Sequence, residues 1–139
     1  MTLVDTWAWL ALAHKHDPYH ALATQQHRLL QKRRARYVTT DYVLAELMGP
    51  LFGLMSFAKA QQFMLNIFGS IKAGKYQLEF ISPDRFERAW QLRQKYHDKP
   101  DISFVDFTSM IVMQDLGITE VFTGDAHFRQ VGLGFHLLP

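Results

Sequence analysis

Short apolar runs, separated by longer stretches with helical spacing, constrain this chain more than any other feature of its sequence. Thr2-Leu3-Val4 reads as a buried strand ending at Asp5, and Trp7 to His14 carries a short helical pattern. Tyr37-Val38-Thr39 is a second strand candidate, Gln77 to Ile81 a third, Glu120 to Thr123 a fourth and Gly134 to Leu137 a short fifth. Helix signals fill the gaps. Asp17 reads as an N-cap with Pro18 at the first helical position, and Ala21, Leu22, Leu29 and Leu30 carry that helix to Lys32-Arg33-Arg34. Thr40 and Ser56 read as caps of two further helices, and Pro50 is expected to kink or end the first of them. Pro83 opens a helix to about Tyr96. Ser103 opens another, which Gly117 stops in the left-handed conformation that helix ends favour. Strands alternating with helices predict an α/β domain with a mainly parallel sheet. The length of 139 residues suits one domain, and no repeat or low-complexity linker divides it, so residues 1–139 are read as a single domain.

Sheets of this kind gather functional groups at the carboxyl ends of their strands. Asp5 ends the first strand and Asp125 follows the fourth; Asp106 lies in the first turn after Ser103, and Glu46 in the helix after the second strand. Clustered carboxylates repel one another unless a cation neutralises them. The chain has no cysteine, so any metal site must use oxygen or nitrogen. Mg²⁺ or Mn²⁺ prefers such hard ligands, and with a substrate phosphate it can drive an in-line phosphodiester displacement.

Each acid also has an ordinary structural reading. Asp5 suits the cap of the first helix. Ser103-x-x-Asp106 is a capping-box pattern. Glu46 suits a solvated helix face, and Asp125 a turn with Gly124. Each of these explains one acid, while a metal site explains four at once.

The residues around the acids carry a family resemblance. Leu3-Val4-Asp5-Thr6 followed by Ala8-Trp9-Leu10-Ala11-Leu12 resembles the opening of PIN domains of the VapC-like kind. Thr39-Thr40-Asp41-Tyr42-Val43-Leu44-Ala45-Glu46, Ser103-Phe104-Val105-Asp106 and Thr123-Gly124-Asp125-Ala126-His127-Phe128 are similar to the later motifs, in order and across essentially the whole chain. The resemblance implies a PIN-like fold, with a parallel sheet of about five strands flanked by helices, and a Mg²⁺- or Mn²⁺-dependent endoribonuclease. It implies catalytic acids Asp5, Glu46, Asp106 and Asp125, with Asp5 and Asp106 as the main metal ligands. Asp125 and Glu46 would hold metal-bound water or a second ion. Thr6 and Thr123 are candidates for orienting the ligand carboxylates, and Arg129 for contacting substrate phosphate. The resemblance further implies an RNA substrate, an antitoxin partner, a homodimer and a cytoplasmic toxin of a toxin–antitoxin pair. Asp41, often Asn in relatives, and Asp101 are additional acids read as helix-start residues.

Two other classes compete. One is a PIN-fold module that binds RNA or protein without cutting, against which the intact acids argue. The other is a phosphatase forming a phospho-aspartate, which would need a second Asp where Trp7 stands. A net charge of +2 permits a local basic patch and excludes a histone-like binder. The densest basic stretch, Lys32, Arg33, Arg34 and Arg36, reads either as an edge tracking phosphates or as cations placed at a helix C-terminus. Arg85, Arg88, Arg93, Lys95 and Lys99 read mostly as a solvated face. His14-x-His16 and His127 match no zinc spacing, and His127 reads as a loop residue near the site. The Met- and Phe-rich stretch from Met48 to Phe68 exceeds what two helices usually bury and suits a partner surface. Trp7 and Trp9 bracket the first helix and read as packing rather than as base stacking. No apolar run is long enough to span a bilayer, no secretory leader is expected, and the lack of cysteine fits a reducing compartment.

Overall fold

The apolar runs pair into one parallel sheet of five strands in the order β3-β2-β1-β4-β5. The computed structural model describes residues 1–139. The strands are β1 (Thr2–Val4), β2 (Tyr37–Thr40), β3 (Tyr76–Glu79), β4 (Glu120–Phe122) and β5 (His136–Leu137). The helices are α1 (Thr6–Ala13), α2 (His20–Lys32), α3 (Asp41–Leu54), α4 (Phe57–Lys72), α5 (Pro83–Lys95), α6 (Phe104–Leu116) and α7 (His127–Gln130). Leu3 stands beside Val38 on one side and Val121 on the other.

The strand alternation of two sends successive side chains to opposite faces. Val4, Tyr37 and Phe122 join α1–α4 in one core, while Leu3, Val38 and Val121 join α5, α6 and α7 in the other. A sheet buried on both faces explains why its strands are continuous apolar runs. No helix is long and apolar enough to cross a membrane.

Thr40 and Ser56 cap α3 and α4 through their hydroxyls, as their positions predict, and Gly117 ends α6 at φ 66°. Two helix boundaries differ from expectation. Pro50 does not end α3, which runs through it to Leu54. Leu47 and Leu51, one turn apart, are both fully buried and hold the helix on either side. Gly49 has no Cβ to meet the proline ring. The second difference is at Asp17. Its carboxylate accepts the Tyr19 N–H at 2.8 Å and its carbonyl the His20 N–H at 3.0 Å, so Asp17-Pro18 forms a turn and α2 begins only at His20.

The basic residues also find particular places. Arg33 pairs with Glu120 at the start of β4, so the stretch through Arg36 sits at the amino ends of the strands, remote from their carboxyl ends. The helix-terminus reading is therefore the one observed. Arg34 holds φ 56° in the left-handed slot of a Schellman ending, with Ala35 N–H on the Leu30 carbonyl and Arg34 N–H on that of Gln31. Arg85 and Arg88 are not a solvated face: both clamp α5 to Asp115 of α6. Arg93 donates to the carbonyls of Tyr96, Lys99 and Ile102 at 2.6–2.8 Å, fixing the loop that delivers α6.

Candidate functional site

The strand order reverses between β1 and β4, and a crevice forms where connections leave such a pair in opposite directions. Asp5 follows β1 and Asp125 follows β4, so both reach that switch point. The ladder continues past β1, with the Asp5 N–H on the Phe122 carbonyl at 3.2 Å. α6 brings Asp106 to the same place and α3 brings Glu46 within electrostatic reach of Asp5 and Asp106.

Asp5 occupies the N-cap position of α1 but its side chain does not cap. One oxygen, Oδ2, accepts the Thr123 hydroxyl at 2.9 Å. The other, Oδ1, is buried with no partner. Burial pushes this carboxyl up to about 8, with the Asp106 charge and then Glu46 adding to it, against the Thr123 hydrogen bond and the adjacent Thr6 backbone N–H, which lies close by without forming a hydrogen bond of normal geometry. Asp106 donates its N–H to the Ser103 hydroxyl at 3.1 Å. Only this half of a capping box forms, because the Asp106 carboxylate faces His127 at 3.0 Å instead. Burial raises Asp106 to about 6; the His127 hydrogen bond opposes, and Asp125 and Glu46 reinforce.

Asp125 makes its turn with His127 rather than with Gly124: its Oδ1 accepts the His127 backbone N–H at 3.0 Å, while its Oδ2 lies 3.1 Å from His127 Nδ1. Thr123 Oγ1 accepts the Asp125 N–H at 3.0 Å while donating to Asp5, so one hydroxyl ties the two strand ends together. His127 Nδ1 thus stands between two carboxylates. Ionised carboxylates only accept, so this nitrogen carries the hydrogen. Ligand atoms of Asp106, Asp125 and His127 all lie within 4.8 Å of one another.

The other sequence candidates are placed plainly. Thr6 has its hydroxyl buried without a partner beside Asp5. Arg129 is exposed on α7. Asp41 uses its carboxylate to accept the Ile81 N–H at 2.9 Å, closing the loop after β3, and Asp101 is exposed before α6. Neither joins the acids. His127 is the residue that sequence reasoning undervalued; its one signal is its position two residues after Asp125. The donor set suits a hard divalent cation. It offers carboxylates and no sulfur, and one buried carboxylate oxygen for which the protein provides no hydrogen.

A doubly wound parallel sheet with acids gathered at its switch point defines a PIN-type α/β domain. No protein-family model matches the chain. It is 30% identical over 135 residues to the 23S rRNA-specific endonuclease VapC20 of Mycobacterium tuberculosis, in each of two strains, covering 95% of both chains. Its structure matches the crystal structure of Mycobacterium tuberculosis VapC20, described as a sarcin–ricin loop cleaving toxin, with a TM-score of 0.78, 27% identity and 95% of each chain covered. The chain belongs to the VapC-like toxin ribonucleases of the PIN-domain class.

Proposed function

We propose that this chain is a divalent-metal-dependent endoribonuclease that hydrolyses RNA phosphodiester bonds as the toxin half of a toxin–antitoxin pair. The observation that carries this is the Asp5 carboxylate, buried beside Asp106 with one oxygen left without any protein donor. A cation bound there would neutralise the paired carboxylates and give the free oxygen its partner.

Asp5, Asp106 and Asp125 would hold Mg²⁺ (or Mn²⁺). Bound there, the ion would supply activation of water and neutralisation of charge on the phosphate undergoing displacement. Everything else falls to the chain. Thr123 fixes the Asp5 carboxylate and the Asp125 loop with one hydroxyl, so the acids keep their geometry without substrate. His127 keeps Asp106 and Asp125 close by bridging them through Nδ1. Glu46 adds negative charge to the pair Asp5 and Asp106 and so favours cation capture. Thr6 would orient Asp5 from the other side, and Arg129, exposed near Asp125, would contact substrate phosphate.

The relatives' names speak of 23S rRNA and of the sarcin–ricin loop; a loop of large-subunit rRNA is accordingly the substrate proposed here. Residues 1–139 act as one domain in this reading. The apolar surface left on α3 and α4, with Phe57 at 69% and Leu54 at 54% exposure, supports an antitoxin and a second copy of the chain as partners. A toxin acting on rRNA works in the cytoplasm. The test is cleavage of total bacterial RNA by the purified protein with Mn²⁺ or Mg²⁺, with EDTA, and with Asp5→Asn in parallel. Discrete products that vanish in both controls are expected. Absence of cleavage by a folded, antitoxin-free sample would overturn the nuclease reading.

A further inference from the structure

The acids create a difficulty for substrate binding. On the ribonuclease reading a phosphodiester must sit beside Asp106 and Asp125, with the charges of Asp5 and Glu46 close by, and the densest basic stretch lies at the other end of the sheet, tied through Arg33 to Glu120. Affinity close to the acids therefore benefits from a contact that carries no charge. An aromatic surface begins at that point.

Trp7 lies two residues after Asp5 and is only partly buried, unlike Trp9, which is 2% exposed and donates its indole N–H to Thr39. The Trp7 ring rests on the backbone between Thr123 and Asp125. A Cβ on Gly124 would come within 2.2 Å of Trp7 Cζ2, so glycine at this position is what lets the ring lie against the acidic loop. Tyr19 continues the surface outward. Its ring centroid is 5.3 Å from that of Trp7, with the planes tilted by 44°, and the residue is 51% exposed. The Asp17-Pro18 turn presents it: the Asp17 carboxylate holds the Tyr19 N–H, and α2 starts after the tyrosine rather than before it.

We propose that Trp7 and Tyr19 form a stacking shelf for an unpaired nucleobase flanking the scissile phosphodiester. Every base has a π-face, and stacking on an aromatic side chain adds affinity without adding positive charge. The shelf requires the base to leave its own helix, and so selects loops and single strands over duplex RNA. Tyr19 and Trp7 are positioning residues in this account. The proposal rests on the ribonuclease reading above.

The test compares wild type, Tyr19→Leu and Tyr19→Phe on a synthetic RNA hairpin displaying the sarcin–ricin loop, and on the same hairpin with an abasic residue at each nucleotide flanking the cut. Leucine keeps apolar bulk and removes the ring; phenylalanine keeps the ring. Tyr19→Leu is expected to lower kcat/KM on the intact hairpin on the order of 10-fold, mainly through KM, with Tyr19→Phe close to wild type and melting temperatures unchanged. One abasic position should reproduce the loss in wild type, and Tyr19→Leu should add nothing to it. Unchanged cleavage by Tyr19→Leu, or equal losses on intact and abasic hairpins, would overturn the shelf while leaving the nuclease in place. Failure of wild type to cut either this hairpin or total bacterial RNA would overturn the nuclease reading and the shelf with it.

Discussion

Replacing Asp5 by Asn should make the metal-free protein more stable at neutral and alkaline pH, although it removes a central residue of the site. The folded protein keeps the Asp5 proton until about pH 8, whereas the unfolded chain releases it near 3.8. Between those values the folded state binds more protons, so stability falls as pH rises through the window. At about 1.4 kcal/mol per pH unit, the ceiling on this cost is about 6 kcal/mol. Asp106, raised to about 6, shares that cost, because protonating either acid relieves the other. Asparagine adds a penalty of its own, placing an amide N–H where Oδ1 has no partner, worth about 1–3 kcal/mol. The net gain expected for Asp5→Asn at pH 8 is about 2 kcal/mol, shrinking towards zero or below near pH 5. Urea denaturation in EDTA at several pH values between these limits measures it. Parallel pH curves for the two proteins would refute the reasoning, since they would show that Asp5 does not retain its proton in the fold.

The site and its supports give further expectations. Asp106→Asn should abolish cleavage with the far-UV circular dichroism unchanged, and unaltered cleavage would remove Asp106 from the catalytic set. Saturating Mn²⁺ should raise the wild-type melting temperature and leave that of Asp5→Asn nearly unmoved, because only a native-state ligand stabilises; equal shifts would place the ion elsewhere. Arg93→Met should cost about 2 kcal/mol, since three loop carbonyls lose their donor, and should also lower cleavage by loosening the start of α6; thermal melts and a cleavage assay read the two effects. Arg34→Gly should stabilise the protein by about 1 kcal/mol by relieving the residue at φ 56°, with cleavage unaffected, and a loss of activity would reopen a role for that basic stretch.

The positions of the acids could be read before the fold because two of them end strands whose period is clear from a handful of apolar residues. Thr2-Leu3-Val4 and Val121-Phe122 are buried on both faces, which leaves little ambiguity about where they stop. Helix boundaries were less legible where a local signal competed with a tertiary one. Pro50 is a breaker in isolation, but Leu47 and Leu51 share a core that outweighs it. Asp17-Pro18 carries the composition of a helix start, yet the Asp17 side chain spends its hydrogen bond on Tyr19. The cationic residues were illegible for the same reason: nothing near Arg85 or Arg88 in sequence announces Asp115, about thirty positions away. His127 needed three elements at once, because its ring finds Asp106 only after α6, β4 and α7 have docked.

The helix that carries Asp106 has one more consequence. Every residue from Asp106 to Met113 is buried, with the sheet on one side and α5 on another. A segment enclosed in this way opens only when most of the molecule opens. Asp106 therefore shares the fate of the whole fold, and amide exchange along α6 should be among the slowest in the chain. Local melting of this helix alone is no route to displacing Asp106.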